Sequence, residues 1–387
     1  FTPSFVPDET KTLEEWADMI HSTVKDIFKE VKSEDEYAES FLSGGVDSSV
    51  AAYLLKEQGY DVIGVTMQIW QKETVENEGG CCGLSAVEDA RRVAGILDIP
   101  FYVMNFRDVF KEQVIDDFVK EYSLGKTPNP CIRCNRYVKW ESLLNRSLEI
   151  GADYIATGHY ARVRFLDNGR YAICKSATAS KDQTYALYNL TQEQLAHTLM
   201  PVGEYEKDEV RKIAQDIGLF VASKPDSQEI CFVPDNDYAG YIERESDIKF
   251  KTGNFVDRDG NILGEHKGIH RYTIGQRKGL NLSFGKPVFV CEIRPETNEV
   301  VLGDSQDVFS KELICHHINH MGIADFKDCG DISAKIRYGQ HETRCHVEYA
   351  GEDTLRCIFH EQVRAITPGQ AVVLYDGDVV LGGGIIG

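Results

Sequence analysis

The sequence predicts an α/β fold, a doubly wound parallel sheet, followed by a small central β-rich domain and a C-terminal β-barrel. Three observations support this prediction. Between residues 41 and 157, apolar strand segments alternate with helical ones, as in parallel sheets covered by helices on both faces. Beyond residue 235 the helical period fades into Gly- and Asn-rich short apolar runs. From residue 308 onwards, apolar and polar residues alternate between turn signals, which is typical of a small barrel.

Each element follows from its local pattern. We expect strands over 61–70, 100–106 and 153–157, and helices over 48–55, 86–97 and 109–122. In residues 1–40, which carry 11 acidic and 4 basic side chains, apolar residues recur at three- or four-residue steps and predict one amphipathic helix. The 387 residues therefore divide into a helical extension (1–36), a parallel-sheet domain (37–234), a central domain (235–304) and a barrel (305–387).

Composition limits the function. There are 42 Lys and Arg against 62 Asp and Glu, and the net charge of −20 disfavours a general nucleic-acid coat protein while leaving room for a local basic face. Without a long apolar run or a signal core, we expect a cytoplasmic protein that does not contact membranes, or an organellar one if the Phe1 start reflects a removed transit peptide. Eleven cysteines with a C-x-x-C spacing fit a reducing compartment.

A candidate phosphate loop follows an apolar pair and precedes a helical segment. It reads SGGVDSS, Ser43–Ser49. Its two glycines let the backbone approach an anion, and Ser48 and Ser49 offer hydroxyl and amide groups at a helix N-terminus, where the dipole favours phosphate. Asp47 cannot donate to phosphate, so we expect it to cap the helix or to help hold Mg²⁺. The loop lacks the lysine of kinase-type loops, so ordinary γ-phosphate transfer is not implied.

A second constellation is built from cysteines. Cys131 and Cys134 lie in TPNPCIRCNR, where two prolines predict a stiff loop that holds the thiols three positions apart. This spacing lets both sulfurs face one metal, one cluster or each other. From Lys126 to Arg146 there are 5 basic residues and 1 acidic residue, a local charge that stabilises thiolates. Cys231, in DSQEICF, is a third candidate, although a buried apolar role would suit it equally.

The other cysteines give weaker signals. No second C-x-x-C and no His pair follows at a useful distance, which disfavours a closed structural zinc site. We expect structural roles for Cys81, Cys82, Cys174, Cys291, Cys315, Cys329, Cys345 and Cys357. A second basic cluster, 264–280, has 4 basic residues, 1 acidic residue and 2 His, and indicates either RNA contact or a solvated β surface.

Five motifs in order make a family resemblance specific: SGGVDSS, TPNPCIRCNRYVKW, ATGHYAR, KDQTYAL and SQEICFV. The loop resembles that of the N-type ATP pyrophosphatases, which split ATP between the α and β phosphates. The whole set resembles the MnmA-type tRNA 2-thiouridylases, from about residue 41 to the C-terminus. The resemblance implies an ATP- and Mg²⁺-dependent sulfurtransferase that adenylates the C2 oxygen of the wobble uridine in tRNAs for Lys, Glu and Gln. A sulfur-donor protein would supply the sulfur through a persulfide relay.

The resemblance also implies roles by position. The residues that would surround ATP are Phe41, Leu42, Ser43, Gly44, Gly45, Val46, Asp47, Ser48, Met67 and Gly158. Those that would meet the target base or the tRNA are Asn129, Pro130, Cys131, Lys181, Asp182, Gln183, Arg337 and Tyr338. Cys134 would be the nucleophile and Cys231 the persulfide carrier, and the two would close a disulfide after sulfur delivery. Because 97 positions separate them, we expect the Cys231 segment to fold over the anticodon and to order on tRNA binding.

Two departures from the family pattern leave alternatives open. Many members carry Asp where this chain has Cys131, so Cys131, Cys134 and Cys231 are also candidate ligands of a [4Fe–4S] cluster with an open iron. The acidic segment 33–40 stands where an apolar strand usually precedes the loop, so the first strand is left unassigned. The alternative functions are another synthetase or amidase of this loop class, which would use ammonia and no thiol, and a non-catalytic iron–sulfur protein that binds tRNA.

Overall fold

The structure, a computed structural model, describes residues 36–69, 84–226, 230–233, 235–283 and 285–387. The helix predicted within residues 1–40 and the cysteines Cys81 and Cys82 fall outside these ranges, apart from residues 36–40. In the described part of the chain, no helix is both long enough and apolar enough to cross a membrane.

The described strands follow the predicted change from mixed to all-β structure. They are β1 Tyr37–Phe41, β2 Asp61–Gln68, β3 Phe101–Asn105, β4 Tyr154–Ala156, β5 Ala161–Phe165, β6 Tyr171–Lys175, β7 Thr198–Leu199, β8 Gly253–Val256, β9 Ile262–His266, β10 Phe289–Arg294, β11 Glu299–Gly303, β12 Phe309–His320, β13 Ile332–Lys335, β14 Thr343–Gly351, β15 Thr354–Arg364, β16 Ala371–Asp376 and β17 Val379–Ile386.

Helices occupy the first two thirds of the described chain. The α-helices are Val46–Glu57, Leu84–Leu97, Arg107–Phe110, Asp117–Ser123, Pro130–Arg133, Leu144–Ile150, Gln192–Ala196, Lys207–Asp216 and Tyr238–Glu245, and two π-helical stretches, Lys111–Asp116 and Cys134–Leu143, join neighbouring ones. Short 3₁₀ turns are Ala179–Lys181, Thr184–Leu187, Pro201–Glu204, Phe220–Ser223, Ile269–Arg271, Ser305–Val308 and Phe326–Asp328. Helix Tyr238–Glu245 corrects the expectation that helical structure fades by residue 235.

The parallel sheet has the order β3-β2-β1-β4-β7, and each of its pairings is parallel. The predicted α/β class is thereby confirmed. Strand β1 at its centre is the strand that the sequence left unassigned. Its Glu39 and Ser40 are buried, at 1% and 0% exposure, and Glu39 stands in register with Ile63 and Ile155. The sequence did not indicate this strand because strands buried on both faces normally carry apolar side chains, and β1 contains Glu39 and Ser40.

Glu39 carries an electrostatic cost at the centre of the sheet. Neither of its carboxyl oxygens has a hydrogen-bond partner among the described residues. The nearby Ser147 hydroxyl donates to the Leu143 carbonyl at 2.8 Å. Burial raises the pKa of Glu39 to about 7, and Ser147 offsets only part of that rise.

The C-terminal region is a closed six-stranded barrel. Its strands run β12-β15-β14-β13-β16-β17, and β12 also pairs with β17, which closes the sheet. This confirms the predicted barrel. The β5–β6 hairpin joins the barrel where Cys174 pairs with Val379, although it lies between two strands of the parallel sheet in the chain. The central region has the order β10-β11-β8-β9. Strand pairing therefore joins the barrel to a hairpin that belongs, in the chain, to the parallel-sheet region.

Candidate active site

The glycines of the Ser43–Ser49 loop are required by its shape. Gly44 has φ +68°, and a Cβ there would lie 2.3 Å from the carbonyl oxygen of Ala86. Gly45 is the N-cap residue of helix Val46–Glu57. The loop thus turns sharply from β1 into a helix start, with its backbone close to the next helix. It presents the amide groups of a helix N-terminus at the carboxyl end of the central strand, where α/β sheets bind ligands.

Serine side chains hold this loop in shape. The Ser48 hydroxyl accepts the Ser43 amide at 3.1 Å and lies 3.0 Å from the Ser43 hydroxyl. The Ser49 hydroxyl donates to the Gly45 carbonyl at 2.7 Å. Ser48 and Ser49 are buried. The loop is therefore preorganised by its own hydroxyl groups, and an arriving anion need not order it.

Asp47 does not cap the helix, which corrects one of its two predicted roles. Helix Val46–Glu57 has no side-chain cap. The Asp47 carboxylate instead accepts the Tyr160 hydroxyl at 2.7 Å and the Lys207 ammonium at 2.7 and 2.8 Å. Burial, and then the charge of Asp47, raise the pKa of Tyr160, so its hydroxyl stays protonated and donates. The role of Asp47 is therefore electrostatic, and it depends on residues far along the chain.

Lys207 joins the loop to the segment that leads to Cys231. Its ammonium group lies 2.8 Å from Asp226, which also pairs with Lys181 at 2.8 Å and with Arg211 at 3.3 Å. Burial acts to raise the pKa of Asp226, but hydrogen bonds from Lys181 and Lys207 outweigh it and the net pKa is lowered. Asp226 is therefore a carboxylate held between cations, five positions before Cys231.

Sequence reasoning missed Lys207, Arg211 and Tyr160 as parts of the site. Lys207 begins an amphipathic helix with a capping box formed by Glu206 and Glu209, which in sequence indicates only a helix start. Tyr160 belongs to the ATGHYAR motif, but its hydroxyl was not assigned a role. The one available signal was that Asp47, placed at a buried helix start, requires a cation to compensate it.

Two further contacts fix the loop from either side. The Lys224 ammonium donates to the Gly44 carbonyl at 3.0 Å and pairs with Asp89 at 2.9 Å. A Cβ on Gly158 would lie 2.5 Å from the Ser48 amide nitrogen. The backbone after β4 is therefore so close to the loop that only glycine fits at position 158. Met67, also predicted to contact adenosine, is buried at 1% exposure in an apolar cluster. The structure thus brings Gly158 to the loop.

The cysteine segment is a helix rather than the predicted stiff loop. Pro130 is the first residue of helix Pro130–Arg133, which continues without a break into Cys134–Leu143 and Leu144–Ile150. The Asn129 side chain caps it by accepting the amides of Cys131 at 3.1 Å and Ile132 at 3.3 Å. The prediction failed because proline, which breaks a helix interior, is well suited to the first helical position. Cys131 and Cys134, three positions apart at a helix start, therefore share one face.

Some of the basic side chains near these thiols are bonded to other residues of the protein. Arg133 pairs with Asp117 at 3.3 Å, donates to the Gln113 carbonyl at 3.0 Å, and lies 4.3 Å from the Tyr137 ring centroid. Lys139 donates to Asn135 at 3.0 Å. Positive charge lies beside the helix start as predicted, but Arg133 is held in place rather than directed to solvent.

Cys134 and Cys231 border the same apolar cluster. Both are partly exposed and lie against buried side chains that include Phe110, Phe118 and Phe232. The protein alone therefore places both segments beside one cluster, while the prediction that the Cys231 segment folds over the anticodon stays a prediction. Residues 227–229 lie outside the described ranges, and whether tRNA orders that segment stays a prediction.

Among the predicted tRNA contacts, Tyr338 of the barrel lies near Asp182 and Cys131. The pKa of Tyr338, in the barrel, is raised by burial and by the charges of Asp182 and Cys131. The Asp182 carboxylate accepts the Thr184 hydroxyl at 2.6 Å, and the Gln183 side chain accepts the Tyr160 amide at 2.8 Å. Lys181 is engaged with Asp226, and Arg337 donates to Thr367 at 3.0 Å. Their roles toward tRNA stay a prediction.

The candidate cluster ligands do not form a site for a single metal ion within the described ranges. Within the described ranges, no three His, Cys, Asp or Glu side chains lie close enough together to hold a metal ion. Cys131, Cys134 and Cys231 are all described, but the ligands of a [4Fe–4S] cluster bind different irons, so the cluster stays a prediction and the proposed reaction does not use it.

Comparison with known proteins agrees with this fold. A family model described as the tRNA methyl transferase HUP domain matches residues 39–235. The models for its PRC-barrel domain and for an aminomethyltransferase β-barrel domain match 243–304 and 310–386. The fold and the site thus define a HUP-domain protein with a phosphate loop, followed by two β domains.

Curated relatives identify the family to which the chain belongs. A tRNA-specific 2-thiouridylase MnmA from Lachnoclostridium phytofermentans is 66% identical over 89% of this chain and 98% of its own length. The enzyme of that name from Clostridioides difficile is 60% identical over 89% of this chain and 96% of its own length. The chain belongs to the tRNA-specific 2-thiouridylase MnmA family. A solved 4-thiouridine synthetase–RNA complex with bound ATP is 18% identical, covers 54% of this chain and 50% of its own, and has a TM-score of 0.33, too low to support an argument.

Proposed function

We propose that this protein is a tRNA-uridine 2-sulfurtransferase that uses ATP to replace the C2 oxygen of the wobble uridine, position 34, with sulfur. The observation that carries the proposal is the ion pairing of Lys207 with Asp47 in the phosphate loop and with Asp226, five positions before Cys231, while Cys231 and Cys134 border one apolar cluster. An amide or NAD synthetase with this loop needs no thiol, and the curated relatives do not favour that alternative.

In the first half of the proposed reaction, the C2 oxygen of uridine attacks the α-phosphate of ATP. An O–P bond forms, the bond to the β-phosphate breaks, and pyrophosphate leaves. The loop amides and the Ser43–Ser49 hydroxyls would hold the phosphates. Asp47 is the loop carboxylate that would hold Mg²⁺, which would neutralise negative charge on the phosphates, and Lys207 is the neighbouring cation that would pair with a phosphate. A carbonyl oxygen is a poor leaving group, and as part of AMP it becomes a good one.

In the second half, the terminal sulfur of a Cys231 persulfide attacks C2 and AMP leaves. The base is then joined to Cys231 through a disulfide bond. The Cys134 thiolate attacks the Cys231 sulfur, which releases 2-thiouridine and leaves a Cys134–Cys231 disulfide. A dithiol reductant and a persulfide-bearing donor protein would restore the starting state.

The substrates and location follow from the same proposal. The target base must leave the anticodon stack to reach the loop, because enzymes that modify a base extrude it. We take the tRNAs for Lys, Glu and Gln as the substrates, with Asn129, Pro130 and Cys131 at the base. Both ATP and tRNA are available in the cytoplasm, where we place the reaction. No observation favours the organellar alternative.

The test is a thiolation assay with purified protein, tRNA for Lys, Mg-ATP and a persulfide donor. We expect AMP, pyrophosphate and 2-thiouridine, the last identified by mass spectrometry of digested tRNA. Cys134→Ser and Cys231→Ser should abolish 2-thiouridine, and ATP–pyrophosphate exchange should persist in both. Cys291→Ser, in the central region, is the matched control and should retain activity. Turnover that survives both site substitutions would favour the thiol-independent synthetase.

The cluster alternative has its own test. Anaerobically purified protein should be colourless, contain no stoichiometric iron or sulfide, and remain active after chelation. A brown protein whose thiolation is lost on chelation would overturn the persulfide assignment, while leaving the ATP-dependent half of the reaction intact.

A further inference from the structure

Two arginine side chains meet where the barrel touches the central region. Arg337 follows β13, and Arg364 is the last residue of β15. A Cβ on Gly275, in the central region, would lie 3.8 Å from a terminal nitrogen of Arg337 and 3.7 Å from one of Arg364. Both guanidinium groups therefore flank one point at this junction.

Neither positive charge is neutralised within the described part of the chain. Arg337 donates to the Ala365 carbonyl and to the Thr367 hydroxyl, and Arg364 donates to the Gly275 carbonyl at 3.4 Å and lies over the Phe289 ring. All of these partners are neutral. Burial, and then the charge of Arg364, lower the pKa of Arg337. Holding two like charges together in a half-buried place costs free energy that an anion would recover.

The neighbours of the pair point to RNA as the source of that anion. The Thr127 amide donates to the Pro368 carbonyl at 2.9 Å, and Gln370 donates to the Thr127 carbonyl at 2.7 Å, so the barrel loop that follows Arg364 holds the segment that enters the Cys131 helix. Tyr338 follows Arg337 in the chain and lies close enough to Cys131 for the charge of that thiol to raise the pKa of Tyr338. The loop that follows Arg364 is therefore hydrogen-bonded to the segment that leads into the proposed base site.

We propose that Arg337 and Arg364 form a clamp for one backbone phosphate of the tRNA, with Arg364 as a binding residue that the family resemblance does not supply. Guanidinium groups suit this ligand because their planar forks match phosphate oxygens. The ATP phosphates belong elsewhere, since the Ser43–Ser49 loop contacts Ala86, Lys224 and Gly158. The inference rests on the proposed function only in taking tRNA as the substrate.

The test measures binding of tRNA for Lys by fluorescence anisotropy over a range of salt concentrations, so that it does not depend on turnover. Arg364→Gln should weaken binding about tenfold and reduce the slope of log K against log salt by about one, because one phosphate contact is lost. Arg364→Lys should keep most of that slope. Arg356→Gln is the matched control on the same strand, since Arg356 is partly exposed and already paired with Glu312 at 2.6 Å and Glu348 at 3.1 Å, and it should change neither quantity.

Kinetics separate the clamp from a structural role. In the thiolation assay, Arg364→Gln should raise KM for tRNA while leaving KM for ATP and kcat at saturating tRNA unchanged. An unchanged salt slope, or an affinity loss that Arg364→Lys does not reduce, would overturn the clamp. A raised KM for ATP would move the anion to the nucleotide and also overturn it. Wild-type protein that binds tRNA but forms no 2-thiouridine would contradict the proposed function and leave the clamp standing.

Discussion

The nucleotide loop and the barrel interior are held together by different forces. Around the loop, Asp47, Lys207 and Asp226 form an ion-pair chain with contacts of 2.7–2.8 Å. Inside the barrel, the buried residues are apolar side chains and thiols. They include Leu313, Cys315, Leu355, Cys357, Leu374 and Ile386. Burial raises the pKa of Cys345 to about 12, so that thiol stays protonated and behaves as a small apolar group.

This difference shows where substitutions should affect chemistry and where they should affect stability. Lys207 has a carboxylate partner on each side, so removing it leaves Asp47 without a cation near the phosphates, while Asp226 keeps Lys181 and Arg211. A barrel side chain contributes through burial alone, so removing it costs unfolding free energy and leaves the site chemistry unchanged.

The largest effect is expected at Lys207. Lys207→Met should leave Asp47 and Asp226 facing each other without their shared cation, and thiolation should fall by about 100- to 1000-fold, the usual loss for one preorganised electrostatic group. The thermal unfolding midpoint should fall as well, because the Asp47 carboxylate loses its buried cation, so turnover is compared at a temperature where the variant is folded. Lys212→Met, exposed on the same helix, is the control. A loss of less than threefold at Lys207 would mean that the ion-pair chain is not part of the site.

The barrel should respond in the opposite manner. Leu374→Ala removes a fully buried side chain from the barrel core and should lower the free energy of unfolding by about 2–5 kcal/mol. At a temperature where the variant is folded, kcat should match that of the wild type. Ile314→Ala, at a position 38% exposed on β12, should cost far less. A large fall in kcat with intact stability would show that the two regions are not separable.

A pH dependence should come from Glu39, the buried acid that breaks the pattern of the sheet. Its carboxyl stays neutral in the folded protein until about pH 7, whereas the unfolded chain ionises near 4.5. As pH rises from 4.5 to 7 the unfolded state loses a proton that the folded state keeps, so stability falls, by up to about 3 kcal/mol.

Glu39→Gln should abolish that fall. Chemical denaturation at pH 5 and pH 8 measures it, and Glu36→Gln, exposed just before β1, should leave the wild-type pH dependence in place. If the wild type is as stable at pH 8 as at pH 5, the buried carboxyl does not carry the expected cost.

Local patterns predicted much of the fold. Alternation with a period of two identified the barrel because each strand has one buried and one exposed face. The Ser43–Ser49 loop was found because few residue types allow a positive φ and a close backbone approach at a helix start. The motif order found the cysteines and the family.

Other features were missed for physical reasons. Strand β1 was hidden by Glu39 and Ser40, whose burial depends on the strands and helices packed around them. The Pro130 helix was taken for a loop because a proline at the first helical position cannot be told from a breaker without the cap formed by Asn129. The ion pair between Lys207 and Asp47 joins residues 160 positions apart, and no local pattern encodes it.

The sequence by itself determined the order of the regions, the phosphate loop, the two thiol segments and the family, because these depend on residue type and near spacing. Only the tertiary structure decided that Lys207 links Asp47 to Asp226, that Cys134 and Cys231 border one cluster, and that Arg337 faces Arg364. The reason is that charge compensation and burial depend on distance in space, which chain separation does not fix until the strands have paired and the barrel has closed.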